Sequence, residues 1–396
     1  MLTRPVEMNL ANWRLPENSQ WAFHHVREIV PSENIACGGT VDHLEREPNS
    51  TIGSLTLDGL GGVDWSLQRW LDESSSDALL VAHRGKLVHE WYADPAIETN
   101  PHIVFSVSKS MTATLAGVLV EQGLLDPTRA LVDYIPELSG SGYTDASLQQ
   151  LLDMVVSIDF KEDYLDPSGK FAEYRTATAW NPCESDAIDQ NLHDFLCSIE
   201  PGKGEHGARF EYKSPNSDLL GWVLERASGE GLASLFSRYL WRPMGAEADG
   251  YVTVDRKGNP RAAGGICVLP RDLLRFAELV RNRGMANGQQ LIPVSWIEDC
   301  SDGGSLETWR AGESAKEFPA GSYRNKWYQT GDEHRVMLAI GIHSQWIYIN
   351  PVTAVTIVKL SSQAEPLRLD LDNINLGAFS SINQAASTTA RATHRL

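Results

Sequence analysis

The chain contains the stretch Phe105-Ser106-Val107-Ser108-Lys109-Ser110, in which a serine precedes a lysine by three residues. The apolar residues before it and the helix-forming residues after it, up to a C-cap at Gly123, predict a strand end followed by a helix. Ser106 then lies near the helix N-terminus, one turn before Lys109. Because a serine hydroxyl needs a neighbouring base to become a nucleophile, Lys109 is the candidate for that base.

This chemistry sets conditions on the surroundings of the pair. A lysine in water is charged at pH 7, so Lys109 accepts a proton only if burial and nearby positive charge lower its pKa. Backbone N–H groups at the helix start are available to stabilise an oxyanion beside Ser106. Because Ser-x-x-Lys is frequent by chance, the assignment needs further elements.

Two later segments supply such elements. Tyr212-Lys213-Ser214 precedes an amphipathic helical pattern, and its tyrosine is able to relay a proton to a leaving group. The alternative is a tyrosine packed at a helix start that Ser214 or Asn216 caps. Gly341-Ile342-His343 lies in a late strand pattern, where a glycine on an edge strand lets a substrate approach the backbone and the next N–H completes an oxyanion hole. The alternative for Gly341 is a β-bulge.

The composition restricts the partners. The 396 residues include 52 acidic and 34 basic side chains, a formal net charge of −18 that repels nucleic acid and anionic lipid. No apolar run reaches the roughly 18 residues of a membrane helix, and the start lacks the apolar core of a signal peptide. We therefore expect a cytoplasmic protein that binds neither nucleic acid nor membranes.

The sequence also predicts no metal and no cofactor. The five cysteines are odd in number and scattered, which indicates reduced thiols rather than disulfides or a zinc site. His24 and His25 are adjacent, so their side chains point apart, and no carboxylate or cysteine pattern completes a metal site around them. Glycine motifs for nucleotides are absent, as is Gly-x-Ser-x-Gly.

The order of the strand and helix patterns predicts an α+β fold. A hairpin pattern with glycine in its turn occupies residues 78–92, and three strand patterns follow one another over residues 335–360. We expect an antiparallel sheet flanked by helices, with the active site in a cleft beside a mainly helical subdomain. The predicted parts are an N-terminal arm (1–60), a sheet domain (61–145 and 241–396) and the helical subdomain (146–240).

With its motifs in this order, the chain resembles the penicillin-recognising serine hydrolases, a family that includes class C beta-lactamases, DD-peptidases and family VIII carboxylesterases. Within the family it is most similar to the branch that hydrolyses 6-aminohexanoate dimers. The resemblance begins near Trp21 and is densest in residues 105–110, 132–138, 162–167 and 341–345. It implies a beta-lactamase/transpeptidase-like fold.

The resemblance also implies a role for each motif residue. Ser106 is acylated, Lys109 is its base and Tyr212 protonates the leaving group, while the N–H groups of Ser106 and Ile342 form the oxyanion hole. The implied substrate-binding residues, of which the first two lie on a loop that closes over substrate, are Tyr164, Trp180, Gly341 and His343.

Some of these positions have a second interpretation. Tyr164 and Trp180 are equally compatible with ordinary surface aromatics on an irregular segment. His343 could act in acid–base chemistry, but its neighbours favour a histidine that only lines the pocket.

The chain departs from the dimer-hydrolysing branch at two positions. Arg175 stands where that branch has an aspartate that receives the amino group of the substrate, and Ala263 stands where it has an asparagine. Because a cation repels an ammonium group, we expect weak or no turnover of the aminohexanoate dimer. The Lys-Thr-Gly motif with which beta-lactamases hold a carboxylate is replaced by Ala339-Ile340-Gly341, so β-lactam hydrolysis should be poor.

The predicted reaction is acyl transfer to water on a small-molecule ester or amide. Hydrolysis of a short-chain carboxylic ester is favoured, with weak hydrolysis of amides of the aminohexanoate-dimer type. An amidase, a peptidase or a beta-lactamase-type enzyme on the same fold, and a non-catalytic binding protein on this scaffold, are the alternatives. The natural substrate and the oligomeric state stay open, a homodimer included, because no pattern identifies them.

Overall fold

The structure is a computed structural model that describes residues 3–183 and 191–388. Its α-helices, numbered α1 to α13 in chain order, are Pro16–Ala22, Ser50–Gly53, Leu67–Glu73, Val107–Glu121, Leu148–Leu152, Lys170–Ala177, Leu192–Cys197, Pro215–Ser228, Leu232–Phe236, Pro270–Arg281, Val294–Asp302, Leu306–Ala311 and Leu369–Thr388. Short 3₁₀ helices are Val26–Glu28, Leu60–Gly62, Pro95–Glu98, Leu131–Asp133, Pro136–Leu138 and Glu313–Lys316, and Ser237–Trp241 is a π-helical turn.

The strands, numbered β1 to β15 in chain order, are Ser32–Ile35, Thr56–Asp58, Asp64–Ser66, Ser76–His83, Lys86–Tyr92, His102–Ile103, Gly250–Thr253, Ile266–Val268, Met285–Ala286, Gln289–Gln290, Ser322–Arg324, Trp327–Gln329, Met337–Gly341, Gln345–Asn350 and Val355–Ser361. β2 with β3, and β9 with β10, form two small hairpins.

Strands from both ends of the chain form the main sheet. Its order is β11-β12-β13-β14-β15-β4-β5, and each neighbouring pair is antiparallel. The two halves join where Ile357 of β15 pairs with Val81 of β4. The predicted antiparallel sheet flanked by helices is therefore confirmed.

The β4–β5 hairpin shows how the local sequence determines this arrangement. Arg84 and Gly85 form its two-residue turn with φ values of 53° and 83°, which match the type I′ turn that suits the twist of paired strands. Leu80 of β4 packs into the core formed with α4, α8 and α10, whereas Leu79 packs into the core formed with α3 and α13. Because β4 is buried on both faces, it reads as a continuous apolar run rather than an alternating one.

The helix predicted after Ser106 is α4, and it lies at the centre of the protein. Its residues from Val107 to Leu119 are buried, and the polar residues Ser108, Lys109 and Ser110 are among them. Gly123 follows its end with a φ of 71°, which confirms the predicted C-cap region.

A smaller sheet with the order β1-β7-β8-β6 leads the chain into this helix. Val104, directly after β6, donates its N–H to Ile266 O of β8 at 2.9 Å, so the segment before Ser106 is fixed to the sheet by backbone hydrogen bonds. The division into arm, sheet domain and helical subdomain stays a prediction. Within residues 3–183 and 191–388, no helix has both the length and the apolar character needed to cross a membrane.

Candidate active site

Ser106 lies at the junction of β6 and α4 and faces a cavity of about 910 Å³. The residue before it, Phe105, has a φ of 43°, a left-handed conformation that is rare for an aromatic residue. Phe105 is buried between Phe23 and Trp180, at ring-centre distances of 4.9 and 6.0 Å. Backbone strain persists where the surrounding packing imposes it, and it is common at functional sites.

Lys109 meets the conditions for a base that the sequence sets. Its side chain is 1% exposed, and its Nζ lies 2.8 Å from Ser106 Oγ and 2.7 Å from Ala263 O. Burial lowers the pKa of Lys109 to about 8, an effect that the charge of Glu162 opposes and that of Arg261 strengthens. About a tenth of the lysine is therefore neutral at pH 7, and this fraction rises steeply above that pH.

Tyr212 reaches the same pair from the loop before α8. Lys109 Nζ lies 5.1 Å from the centre of its ring, and the ring stacks on Tyr328 at 6.5 Å. Burial raises the pKa of Tyr212 well above its ordinary value, and a hydrogen bond with Ser106 opposes this only in part. Its phenol is therefore protonated at neutral pH, the state that a proton donor needs.

The end of β13 comes close to the nucleophile. A Cβ on Gly341 would lie 2.8 Å from Val104 O and 3.1 Å from Ser106 N, so the close approach of the two backbone segments requires glycine. Ser106 and Ile342 both line the cavity. In the described part of the chain, neither of their backbone N–H groups donates to another backbone or side-chain atom, so both are available to an oxyanion.

Two details of the strand prediction are wrong. β13 is not an edge strand, because β12 and β14 pair with it on either side. Gly341 is open on one side nevertheless, since the pairing with β12 extends only to Leu338. His343 does not continue the strand either, because with a φ of 60° it lies in the turn that joins β13 to β14.

His343 forms part of the cavity wall. Its Nδ1 lies 2.7 Å from Gln363 O, and its ring packs against Phe23 at 5.0 Å. Burial lowers the pKa of His343 to about 4, so the ring is neutral at pH 7. This environment agrees with the predicted lining role.

Tyr164 and Trp180 line the cavity as well. Trp180 is buried, packs against Trp13 at 5.5 Å and donates from Nε1 to Thr253 Oγ1 at 3.1 Å, so it is not a surface aromatic. Tyr164 is half-buried and donates to Glu162 at 2.6 Å. Closure of their segment over a substrate stays a prediction.

The two positions that depart from the dimer-hydrolysing branch lie in the same wall. Arg175 lines the cavity and donates from Nη2 to Tyr164 O at 3.0 Å. Ala263 lines it too, and its carbonyl accepts the bond from Lys109 described above. Both positions are therefore able to influence which substrates fit.

Glu162 is a cavity-lining residue whose contacts the sequence interpretation missed. Its carboxylate accepts from Ser214 N at 2.5 Å and from Ser214 Oγ at 2.6 Å. Ser214 precedes α8 without capping it through its side chain, so the Ser214 cap considered for the Tyr212 segment does not form. The contact joins two segments that are far apart in sequence, so no local sequence pattern predicts it.

Asp218 and Arg261 form a buried ion pair that the sequence interpretation also missed. Arg261 Nη1 donates to Asp218 at 2.6 Å, Ala263 N donates to the other carboxylate oxygen at 2.7 Å, and Tyr174 OH also donates to Asp218. Both charges are buried, so they stabilise each other where water cannot. The sequence could have indicated a partner for Asp218, because a carboxylate among the apolar residues of a buried helix such as α8 requires one.

A buried group of two histidines and a carboxylate lies behind Phe23, in the described part of the chain. Asp77 and His102 stand next to His24, so the sequence argument that no carboxylate is available near His24 is wrong. Both ring nitrogens of His102 face oxygen acceptors, Ile103 O at 2.6 Å and Asp77 Oδ2 at 3.2 Å. Both ring nitrogens of His102 are therefore within hydrogen-bond distance of protein oxygens.

The fold and the family match together define a serine hydrolase. Residues 69–379 match the family model described as beta-lactamase, and the chain belongs to that family. It is 33% identical to the 6-aminohexanoate-dimer hydrolase of Paenarthrobacter ureafaciens over 361 residues, which cover 91% of this chain and 89% of the relative.

Solved structures agree with this assignment. A Bacillus anthracis structure described as "Putative 6-aminohexanoate-dimer hydrolase" superimposes with a TM-score of 0.87 and 25% identity, covering 97% of this chain and 98% of the other. A family VIII carboxylesterase (TM-score 0.58, 15% identity, 78% and 92% coverage) and a class C beta-lactamase mutant (0.57, 16%, 80% and 95%) share the fold. The predicted family and fold class are therefore confirmed.

Proposed function

We propose that this chain is a serine carboxylesterase that hydrolyses small-molecule esters through Ser106, Lys109 and Tyr212. The observation that carries the proposal is the 2.8 Å contact between Lys109 Nζ and Ser106 Oγ inside a cavity, with a lysine whose pKa burial lowers to about 8. A buried lysine without an acidic partner is costly, and a role as base accounts for it.

In the proposed reaction, neutral Lys109 takes the proton of Ser106 Oγ while that oxygen attacks the ester carbonyl. The carbonyl oxygen becomes an oxyanion, which the N–H groups of Ser106 and Ile342 stabilise. When the C–O bond to the alcohol breaks, Tyr212 gives its proton to the leaving oxygen and recovers one from Lys109. Water then attacks the acyl-Ser106 ester by the reverse route and releases the acid.

The choice of ester over amide rests on Arg175 and on the ease of the reaction. An alkoxide or phenoxide leaves more readily than an amide nitrogen, so a site with one relayed proton is sufficient for esters. The similarity to an enzyme named for hydrolysis of a 6-aminohexanoate dimer, whose units an amide bond joins, supports weak amide hydrolysis as the second activity. Arg175 in the cavity wall opposes binding of an ammonium-bearing dimer.

The test is release of p-nitrophenol from p-nitrophenyl butyrate between pH 7 and 9. We expect turnover by the wild type, and losses of about 10³-fold or more in kcat for Ser106→Ala and Lys109→Ala. The matched controls Ser54→Ala and Lys161→Ala change exposed side chains and should retain full activity.

A parallel assay with the aminohexanoate dimer ranks amide against ester hydrolysis. Efficient turnover of the dimer would contradict the argument from Arg175. An inert wild type, or a Ser106→Ala variant as active as the wild type, would support a non-catalytic binding protein on this scaffold.

A further inference from the structure

Two arginines of the cavity wall have no carboxylate partner in the described ranges. Arg14 donates from Nη1 to Trp180 O at 3.0 Å and from Nη2 to Asn181 Oδ1 at 2.6 Å. Among the described residues, Arg175 donates its one hydrogen bond to Tyr164 O. All three acceptors are neutral, so neither guanidinium is paired with a carboxylate in the described ranges. Arg175 lies over the ring of Phe171 at 4.4 Å, and the more distant charge of Glu162 offsets its own charge only in part.

These charges affect each other strongly because they are partly removed from water. Burial, together with the charges of Arg175 and Arg261, lowers the pKa of Arg14 to about 9. Burial and Arg261 likewise lower the pKa of Arg175. An arginine is rarely shifted in this direction, because neighbouring carboxylates usually stabilise its charge. The arrangement is costly without an anion and is relieved by one.

Arg261 extends the same surface inward. It lines the cavity, is 5% exposed, and leaves its Nε without a partner in the described residues although Nη1 is paired with Asp218. The carboxylates of the cavity wall are half-buried Glu162 and exposed Glu173 and Glu365. Water screens the two exposed ones, and in the described residues none of the three lies within 4.0 Å of Arg14 or Arg175.

The arginines line the same cavity as Ser106, and the acyl group of a substrate is assigned to this cavity from the position of Tyr212. Tyr212, which should meet the leaving group, is not among the described residues that line this cavity; it packs instead with Met154, Phe210, Trp309 and Tyr323. This assigns the leaving group to the Tyr212 region and the acyl chain to the cavity, whose apolar surface comes from Phe105, Phe171 and Trp180.

We propose that Arg14 and Arg175 bind a carboxylate at the far end of the acyl chain, so that the substrates are monoesters of dicarboxylic acids. The proposal rests on the proposed esterase function. The methylenes of such an acyl chain lie against the aromatic wall, and the carboxylate accepts hydrogen bonds from guanidinium groups, whose planar donors suit it. The site would therefore select the opposite charge from the one that an amino-terminal acyl chain carries.

Three p-nitrophenyl esters of similar length test the proposal. Mono-p-nitrophenyl adipate carries the anion, p-nitrophenyl 6-methylheptanoate is its neutral isostere, and p-nitrophenyl 6-aminohexanoate carries a cation. We expect the wild type to prefer the anion over the neutral ester by at least about tenfold in kcat/KM, and over the cation by about a hundredfold. The preference should shrink in 0.5 M salt.

Variants connect the preference to the arginines. Arg175→Gln should reduce the anion-to-neutral ratio of kcat/KM by about tenfold, while Arg175→Lys, which keeps the charge, should retain most of it. Arg14→Gln should act in the same direction. If loss of the Arg14 bond to Trp180 prevents that variant from folding, the result for Arg175→Gln decides the test. Arg238→Gln, on an exposed arginine paired with Glu230, is the matched control and should leave the ratio unchanged.

The outcomes separate this proposal from the esterase function. Equal turnover of the anionic and neutral esters, or an Arg175→Gln variant with the wild-type ratio, would overturn the carboxylate site and leave the esterase intact. Failure of the wild type on all three esters would instead refute the proposed function itself.

Discussion

Replacing Gly341 by alanine should disable catalysis while leaving the protein folded. The new Cβ would lie 2.8 Å from Val104 O and 3.1 Å from Ser106 N, and the first distance is roughly 0.6 Å shorter than an ordinary contact. The end of β13 and the Ser106 segment must therefore move apart by about that amount. Oxyanion donors act within a window of about 2.7–3.1 Å, so the shift removes one of them, with an expected loss in kcat of about 10²–10³-fold.

The assay for Gly341→Ala is hydrolysis of p-nitrophenyl butyrate, with urea unfolding measured in parallel. Overpacking should lower the free energy of unfolding by about 1–3 kcal/mol, too little to unfold a protein of this size. Gly377→Ala is the matched control, because a Cβ there meets nothing within 4 Å on α13. The control should keep full activity and gain up to about 1 kcal/mol of stability from helix propensity. A Gly341→Ala variant with wild-type kcat would refute the oxyanion-hole argument.

Three further predictions follow from the charges around the nucleophile. The kcat/KM for a neutral ester should rise about tenfold per pH unit and level off near pH 8, the pKa of Lys109, because the neutral amine is the base; a profile flat from pH 6 to 9 would contradict this. Glu162→Gln removes the charge that most raises the pKa of Lys109, so the rise should move to lower pH, and a move to higher pH would reverse the sign of the argument. Asp218→Ala leaves Arg261 buried without its partner and should lower the free energy of unfolding, measured in urea, by about 3–5 kcal/mol. The control Glu298→Ala, in an exposed ion pair with Arg283, should lower it by less than about 1 kcal/mol, and equal losses would contradict the role of burial.

The proximity of the proposed nucleophile and its base was predictable because their relation is local. A spacing of three residues on a helix brings Ser106 and Lys109 together whatever surrounds them, and the structure adds only the burial. The β4–β5 hairpin was predictable for the same reason, since the conformation of Arg84 and Gly85 sets its turn.

The charged surroundings of the site were not predictable, because they depend on contacts between distant segments. Arg14 reaches Trp180 from the N-terminal region, and Arg261 reaches Asp218 across the fold. Sequence patterns report which residues are apolar or charged, but not which charges meet. The position of Gly341 within the sheet shows the same limit, since strand order is a property of the complete sheet rather than of one strand.

The most direct test of the central claim is to identify the residue that carries a covalent label. The protein is treated with a fluorophosphonate, digested, and its peptides are weighed and sequenced by mass spectrometry. We predict a single modified serine, Ser106, with no label in Ser106→Ala, slow labelling in Lys109→Ala and normal labelling in the neighbouring control Ser108→Ala. A label on another serine, or an undiminished label in Ser106→Ala, would contradict the assignment of Ser106 as the nucleophile.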